Sequence, residues 1–521
     1  MKASPTYQQW KYPVVFGLLF IGLIFSKWLL TVSQLLLLIA VLSDSESRRN
    51  LVRAFYSPIV LSLISLYLMY VLGLLWTSDM KYGLKDLQVK LPMLVFPVLF
   101  FAVGKLERKT SSGLVFFFVA CVLLLSIISL VNFYVSPVVP ERIAIGQSHI
   151  RFSLLICLSL LFIVHFRNDI AKQYRWALIP AIIILLYFLI ILESFTGYVV
   201  LAFLLFFLPL LYRDAWGSKK IRYIIPAAQL LVLAVAVWGF VDVKTRCFPA
   251  PEKAVFSELD MQSQQGNDYV HYPETNLAEN GHRVYLYVAE EEMVRAWNQR
   301  SKHTIVKDSS YINRTNLLMR YLSSKGLRKD SVGVAQLTQV DISNIENGCS
   351  NYLVPGMDPF RERIYRFLWE WSVYIVNEDP SGHSLTQRFE YWKASVRIIE
   401  QHLWFGVGTG DNPEAFRQEY EKMNTLLDKE YRLRSHNQFL SITVALGICG
   451  LLVFLFSLLA PFLLFKIPQL KLFLGFIFIF LLSLISEDTL ETQVGVTFYA
   501  LFNSFLMFNI PNKKALSQDE N

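Results

Sequence analysis

The strongest constraint in this 521-residue sequence is a series of apolar runs, near residues 13–27, 28–42, 55–76, 91–103, 113–135, 150–166, 176–192, 196–211, 223–241, 437–465, 472–486 and 494–510. In a bilayer every backbone N–H and C=O of such a run must find its partner inside the protein, and a helix of about 20 residues satisfies them all. The runs predict an all-α polytopic membrane protein with about twelve transmembrane helices. The fourth run is short for a span. The stretch 12–42 is broken only by Ser26 and Lys27, so it reads either as one long tilted helix or as two short ones. Composition agrees with a membrane class: 54% of residues are hydrophobic and 17% charged.

One long polar stretch, 242–436, interrupts the apolar series. It holds 24 basic and 27 acidic residues, a net of −3, so the chain's overall +8 comes from the membrane part, which carries +11. A basic membrane part is the signature of topology, not of a nucleic-acid partner. With the N-terminus inside, the cytoplasmic segments carry 19 Lys and Arg, among them Lys2, Lys513 and Lys514; the short outer loops carry 6, among them Arg142 and Arg151. The positive-inside rule then places both termini in the cytoplasm and 242–436 outside. The expected domains are 1–241 with about nine spans, 242–436 as a mainly helical extracytoplasmic domain, 437–510 with about three spans, and 511–521 as a tail. The first run is expected to remain as an uncleaved span. Trp297, Trp369, Trp371, Trp392 and Trp404 offer the external domain material for a core. Its early part mixes β-leaning residues at 283–288 with a helical pattern at 290–300, and its later part reads as helices at 386–403 and from Asn412 to about Leu427. Of five cysteines, Cys121, Cys157 and Cys449 lie in apolar runs; Cys247 and Cys349 fall outside them and are the candidates for a disulfide, which spacing alone does not establish.

Three places offer chemistry. The segment Phe405-Gly406-Val407-Gly408-Thr409-Gly410-Asp411-Asn412-Pro413 alternates glycines before an N-cap and proline pair. It reads as a tight turn between two helices, or more sharply as a loop whose N–H groups approach an anion, which makes Gly406, Gly408 and Gly410 candidate binding residues. No Gly-Lys-Ser/Thr follows, so a nucleotide phosphate loop is not indicated. Second, Arg434-Ser435-His436-Asn437-Gln438-Phe439-Leu440 sits where the chain re-enters the membrane. Ser435 or Asn437 suits a helix cap and Arg434 an interfacial position, while a neutral His436 imidazole there suits proton abstraction from a hydroxyl. Third, Arg151 opens a span within Ser148-His149-Ile150-Arg151, and Arg388 opens the amphipathic pattern Arg388-Phe389-Glu390-Tyr391-Trp392. Arginines at helix ends ordinarily snorkel, yet two guanidinium groups at one membrane surface suit a pyrophosphate. The acidic segment 486–491 has the residue types to hold a divalent cation but is simplest as a polar loop between spans, and nothing in the sequence requires a metal or a cofactor.

This combination resembles the O-antigen ligase and polymerase superfamily: a dozen spans, one large external loop before the tenth, Arg388-x-x-x-Trp392 leading into the glycine turn, and Ser435-His436-Asn437-Gln438 opening a span. The resemblance implies an undecaprenyl-pyrophosphate-linked glycan donor used at the outer face of a bacterial inner membrane, with the lipid bilayer as environment and no nucleic acid. It implies His436 acting on the acceptor hydroxyl and Arg388 contacting the pyrophosphate. The family's span-opening Ser-Arg motif has no counterpart here, where the chain reads Glu193-Ser194-Phe195-Thr196-Gly197; Arg151, or second Arg434, is expected to supply that charge. Asn437 and His149 complete the expected binding set. The reading is a metal-independent, inverting glycosyl transfer to a lipid A-core sugar hydroxyl. Repeat-unit polymerization and transfer to a protein hydroxyl share the donor and differ in acceptor. A transporter or flippase is the rival from another class, and is disfavoured here because the predicted span centres carry no Asp, Glu, Lys or Arg.

Overall fold

A computed structural model describes residues 5–135, 144–146, 148–213, 219–251, 255–272, 275–377, 380 and 384–511. Lys2, Arg142, Lys513 and Lys514 of the charge count, and the tail beyond Pro511, lie outside these. The helices are α1 (Pro5–Phe25), α2 (Lys27–Leu42), α3 (Ser45–Ala54), α4 (Pro58–Leu72), α5 (Met80–Lys90), α6 (Pro92–Val103), α7 (Arg108–Val135), α8 (His149–Phe166), α9 (Leu178–Ile191), α10 (Phe195–Leu211) and α11 (Lys219–Cys247). There follow α12 (Glu290–Arg300), α13 (Tyr311–Ser324), α14 (Ser331–Ala335), α15 (Gln339–Glu346), α16 (Pro359–Asn377), α17 (Ser384–Gln401), α18 (Asn412–Met423), α19 (Gln438–Leu464), α20 (Leu470–Ser486) and α21 (Gln493–Ser504).

Each of the twelve apolar runs becomes helix, and the protein is an all-α polytopic membrane protein. Among the described residues seven helical stretches are long and apolar enough to cross a bilayer, or eight if α2 and α3, bent by 106°, are one broken span. Residues 10–25, α10 and α20 are apolar but shorter. Local chemistry sets the breaks. Ser26 ends α1 and caps α2 by accepting from Leu29 N, and Asp44 caps α3 by accepting from Ser47 N. The fourth span begins earlier than its apolar run: Asp79 caps α5, and Pro92, which has no N–H to give, opens α6. The candidate span Met80–Val103 therefore carries Asp86 and Lys90, which corrects the expectation of charge-free spans.

The chain divides into two units. The first comprises residues 1–219, 391–425 and 432–521. Its core is aromatic: Phe16 meets Phe100 at 4.8 Å, Phe118 meets Phe502 at 4.9 Å, and Phe20 stacks on Phe502 at 5.7 Å. Asn509, buried at the end of the last helix, donates to the carbonyls of Phe100 (3.1 Å) and Gly104 (2.6 Å), satisfying the C-terminus of α6.

The second unit comprises residues 220–390 and 426–431. The expected boundaries at 241 and 436 thus shift. α11 goes with the second unit, where Trp238 lies under the Arg361 guanidinium at 4.5 Å and Gly239 abuts Phe360. The predicted helix 290–300 is α12; of the β-leaning run, Arg283 joins a short hairpin in which Ala278 pairs with Arg283 and Glu279 with His282, and Val288 bridges to Val270 and Lys329. Its turn is Asn280-Gly281, both at positive φ, as such a two-residue connection demands. Glu279, fully buried, accepts from Arg320, Tyr365 and Asn351. Met293, Trp297, Leu318 and Leu322 fill the core. Of the five tryptophans expected there, Trp297 is inside, Trp369 is partly buried in the same core and Trp371 is exposed, whereas Trp392 and Trp404 fall in the first unit. All five cysteines are free, Cys247 and Cys349 included.

Candidate active site at the head of α19

The glycine turn explains how the first unit is tied together. Val407 N and Gly408 N donate to the carbonyls of Val444 and Ala445, both at 2.9 Å, and Thr409 Oγ1 donates to Tyr70 O at 2.6 Å. Asp411 accepts from the backbone N–H groups of Ser78 (2.8 Å) and Asp79 (2.7 Å). Gly406, at φ +68°, leaves no room for a side chain, because a Cβ would lie 2.4 Å from Ala445 C. The answering break in α19 is Gly447, at φ 65°. Gly406 N, Gly408 N and Gly410 N all donate to protein acceptors, namely His402 O, Ala445 O and Thr77 Oγ1. An anion meeting this loop finds no free glycine N–H, which corrects the expectation that Gly406, Gly408 and Gly410 bind one; they hold backbones together instead.

Above this packed turn, α19 starts with Asn437 as N-cap, accepting from Leu440 N at 3.2 Å and donating to Ile485 O at 3.1 Å. His436 precedes it in a left-handed conformation, φ 45°, which costs a histidine roughly 1–3 kcal/mol and persists only where neighbours fix it. The neighbours are visible. His436 N donates to Asp488 Oδ2 (3.1 Å), the Tyr391 ring lies 5.5 Å from the imidazole, and Trp392 Nε1 donates to Ser435 O (3.1 Å). His436 Nδ1 stands 3.7 Å from Glu487 Oε2, and the side chain is about a third exposed, at 32%. Ser441 Oγ donates to Asp488 Oδ1 at 2.7 Å. Burial pushes the Asp488 carboxyl above the usual range and Glu491 adds to the effect, while Ser441, His436 and Arg434 offset part of it.

Beneath the histidine lies a closed ionic network. Lys90, fully buried, reaches both oxygens of Asp86 (2.7 and 2.8 Å) and Glu491 Oε2 (3.0 Å), and its ammonium lies over the Tyr70 ring. Glu491 also accepts from Arg434 (3.2 Å) and Gln438 (3.2 Å). Burial raises the Glu491 carboxyl, but Lys90 and Arg434 outweigh that and hold it at about 2. For Arg434, burial works against the charge and Glu491, Tyr82 and Asp488 more than restore it. Arg434 is thus committed to Glu491 and Tyr82.

His149 and Arg151 occupy the first turn of α8. Glu487 lies within electrostatic reach of Arg151, and Thr196 Oγ1 is hydrogen-bonded to Ser486 Oγ at 2.8 Å, so the 486–491 loop meets the head of α10. The first unit therefore gathers His436, Asn437 and Arg434 around this loop, with Arg151 in reach of its Glu487. Phe195, where the family's arginine would stand, is half exposed. Arg388 lies in α17, three residues before Tyr391 in sequence, and is grouped with the second unit. Sequence reasoning missed Glu487, Asp488 and Glu491 as partners of this site. The available signal was their position: an acidic loop between two spans on the same predicted side as His436.

Residues 351–455 match the family described as O-antigen ligase. No curated protein matches the chain. The matched segment includes Arg388, the glycine turn, Arg434, His436 and Asn437, while Arg151 and the acidic loop lie outside it. The match spans about a fifth of the chain, and it supports a likeness to the O-antigen ligase superfamily.

Proposed function

We propose that this protein is a glycosyltransferase that moves a glycan from an undecaprenyl-pyrophosphate carrier to a lipid A-core sugar hydroxyl at the outer face of a bacterial inner membrane. The observation that carries the reading is His436, fixed in a left-handed conformation by Asp488 and the cap of α19, with Nδ1 facing Glu487, inside the segment that matches the O-antigen ligase family. A carboxylate beside Nδ1 favours the tautomer that carries its proton there, leaving Nε2 to accept one. The acceptor hydroxyl gives its proton to Nε2, its oxygen bonds to the anomeric carbon, and the bond from that carbon to the pyrophosphate oxygen breaks. Attack opposite the leaving group inverts the anomeric centre. Charge growing on the departing pyrophosphate is stabilised by Arg151 and Arg388, while Glu487 stabilises the imidazolium. These residues supply the proton transfer and the electrostatics without a metal.

The test is transfer by the purified full-length protein from an undecaprenyl-pyrophosphate glycan to lipid A-core, with and without a chelator, beside His436→Ala and Arg388→Ala. Product from the wild type alone, unaffected by chelator, supports the mechanism. Lengthening of the carrier-linked glycan instead makes the protein a polymerase. A wild type that forms neither product overturns the enzyme reading, and transport is then the next assay, because buried Asp86 and Lys90 remove the argument from charge-free spans.

A further inference from the structure

A second polar site lies wholly within the second unit. Lys329 is 3% exposed, and among the described residues its ammonium has one partner, the Arg283 carbonyl at 3.0 Å. Two of its three donors go unused, and no carboxylate of the described residues lies within ion-pair distance of it. A buried ammonium without a counter-ion is costly, and proteins ordinarily pair it or neutralise it. Burial holds this one low, at about 7, with Asp330 offsetting only part; Asp330 itself accepts from Tyr269 OH and Gly333 N.

Lys329 lines a partly open cavity of about 350 Å³. His282, Arg283 and Arg328 also line it, and Leu286 adds an apolar wall; the acid on the lining is Glu258, which is exposed. Arg328 stands at the cavity, half exposed, held by Asp260 and over the Tyr287 ring at 4.4 Å. Backbone pairing fixes the geometry: Lys329 N donates to Tyr287 O, Ala289 N donates to Lys329 O, and the His282 ring packs close on Gly326, where a Cβ would stand 3.1 Å from its Nε2. The volume is in the range of small-molecule clefts and larger than a bare oxyanion requires.

We propose that this cavity binds an acidic saccharide unit, with the sugar's carboxylate or phosphate group as the counter-ion of Lys329 and Arg328 at its mouth. The choice of a sugar rests on the glycosyl-transfer reading; the anion preference rests on Lys329. The experiment is binding to the full-length protein in detergent, with glucuronate, glucose 6-phosphate, glucose and inorganic phosphate as probes. Binding of either acidic sugar at least tenfold tighter than glucose and inorganic phosphate, reduced tenfold or more in Lys329→Met and severalfold in Arg328→Gln, supports the proposal. Glucose binding as tightly as glucuronate overturns the anion part, and inorganic phosphate binding as tightly as glucose 6-phosphate overturns the sugar part. Should Lys329→Met fail to fold, the wild type still decides: an acidic sugar must slow reductive methylation of Lys329 and glucose must not. His436→Ala must bind these probes like the wild type; a wild type that binds the acidic sugar but forms no transfer product counts against the transfer reading alone, and one that transfers without binding it counts against this proposal alone.

Discussion

Lys90 in the first unit and Lys329 in the second are buried alike, at 0% and 3% exposure, yet Lys90 holds Asp86 and Glu491 and packs on Tyr70, whereas Lys329 has one backbone carbonyl. The first arrangement is complete as it stands, and its charges balance within the protein. The second becomes complete only when something from outside brings a negative charge. The difference separates two uses of a buried cation: one holds a scaffold under His436, the other waits for a ligand.

The comparison breaks or sharpens on four measurements. The largest effect belongs to the scaffold's purpose: His436→Ala should lower the transfer rate by about 10²–10⁴-fold, the range for loss of a general base, read in the assay above. A variant that transfers normally would leave the network beneath it without a catalytic role. Next, Lys90→Met leaves Asp86 and Glu491 buried together and should cost about 3–5 kcal/mol of stability, whereas Lys329→Met removes an uncompensated charge and should be neutral or stabilising. Thermal unfolding in detergent of both variants decides it, and equal losses would end the contrast. Third, Gly406→Ala puts a methyl against Ala445 at a positive φ and should cost at least about 1–3 kcal/mol by the same measurement, because the turn has no slack. The smallest effect is a pH slope. Lys329 titrates at about 7 when folded against 10.5 for an ordinary lysine, so the unfolded chain binds more protons between those values, and stability should rise with pH from about 7 toward 10. Below about 7 the lysine contributes no slope. Tryptophan-detected unfolding should show the slope in wild type and lose it in Lys329→Met.

Much of this was written in the sequence in plain periodicity. Each apolar run became helix, though seven or eight stretches rather than twelve are long and apolar enough to span; the pattern at 290–300 gave α12, and of Ser435 and Asn437 it is Asn437 that caps α19. Local signals served where local forces decide. They failed where a distant segment decides: the glycine turn is shaped by α19 and by residues 70–79, which no window around residue 408 contains. The candidate site divided the same way. His436 could be singled out as a candidate from its place at a membrane re-entry, but its neighbours Asp488 and Glu491 could not, because an acidic loop looks alike whether it faces water or a histidine fifty residues earlier. Lys329 carried no signal at all; an orphaned ammonium exists only once the fold has buried it.

The clasp between Asp411 and the N–H groups of Ser78 and Asp79 joins residues 333 and 332 positions apart. At ordinary synthesis rates the second partner leaves the ribosome roughly 15–70 s after the first. For that interval the junction between α4 and α5 lacks the carboxylate that will close it, though the helices on either side are already made. The early helices must therefore wait with that junction open, and the scaffold under His436 becomes a single object only when most of the chain has been delivered.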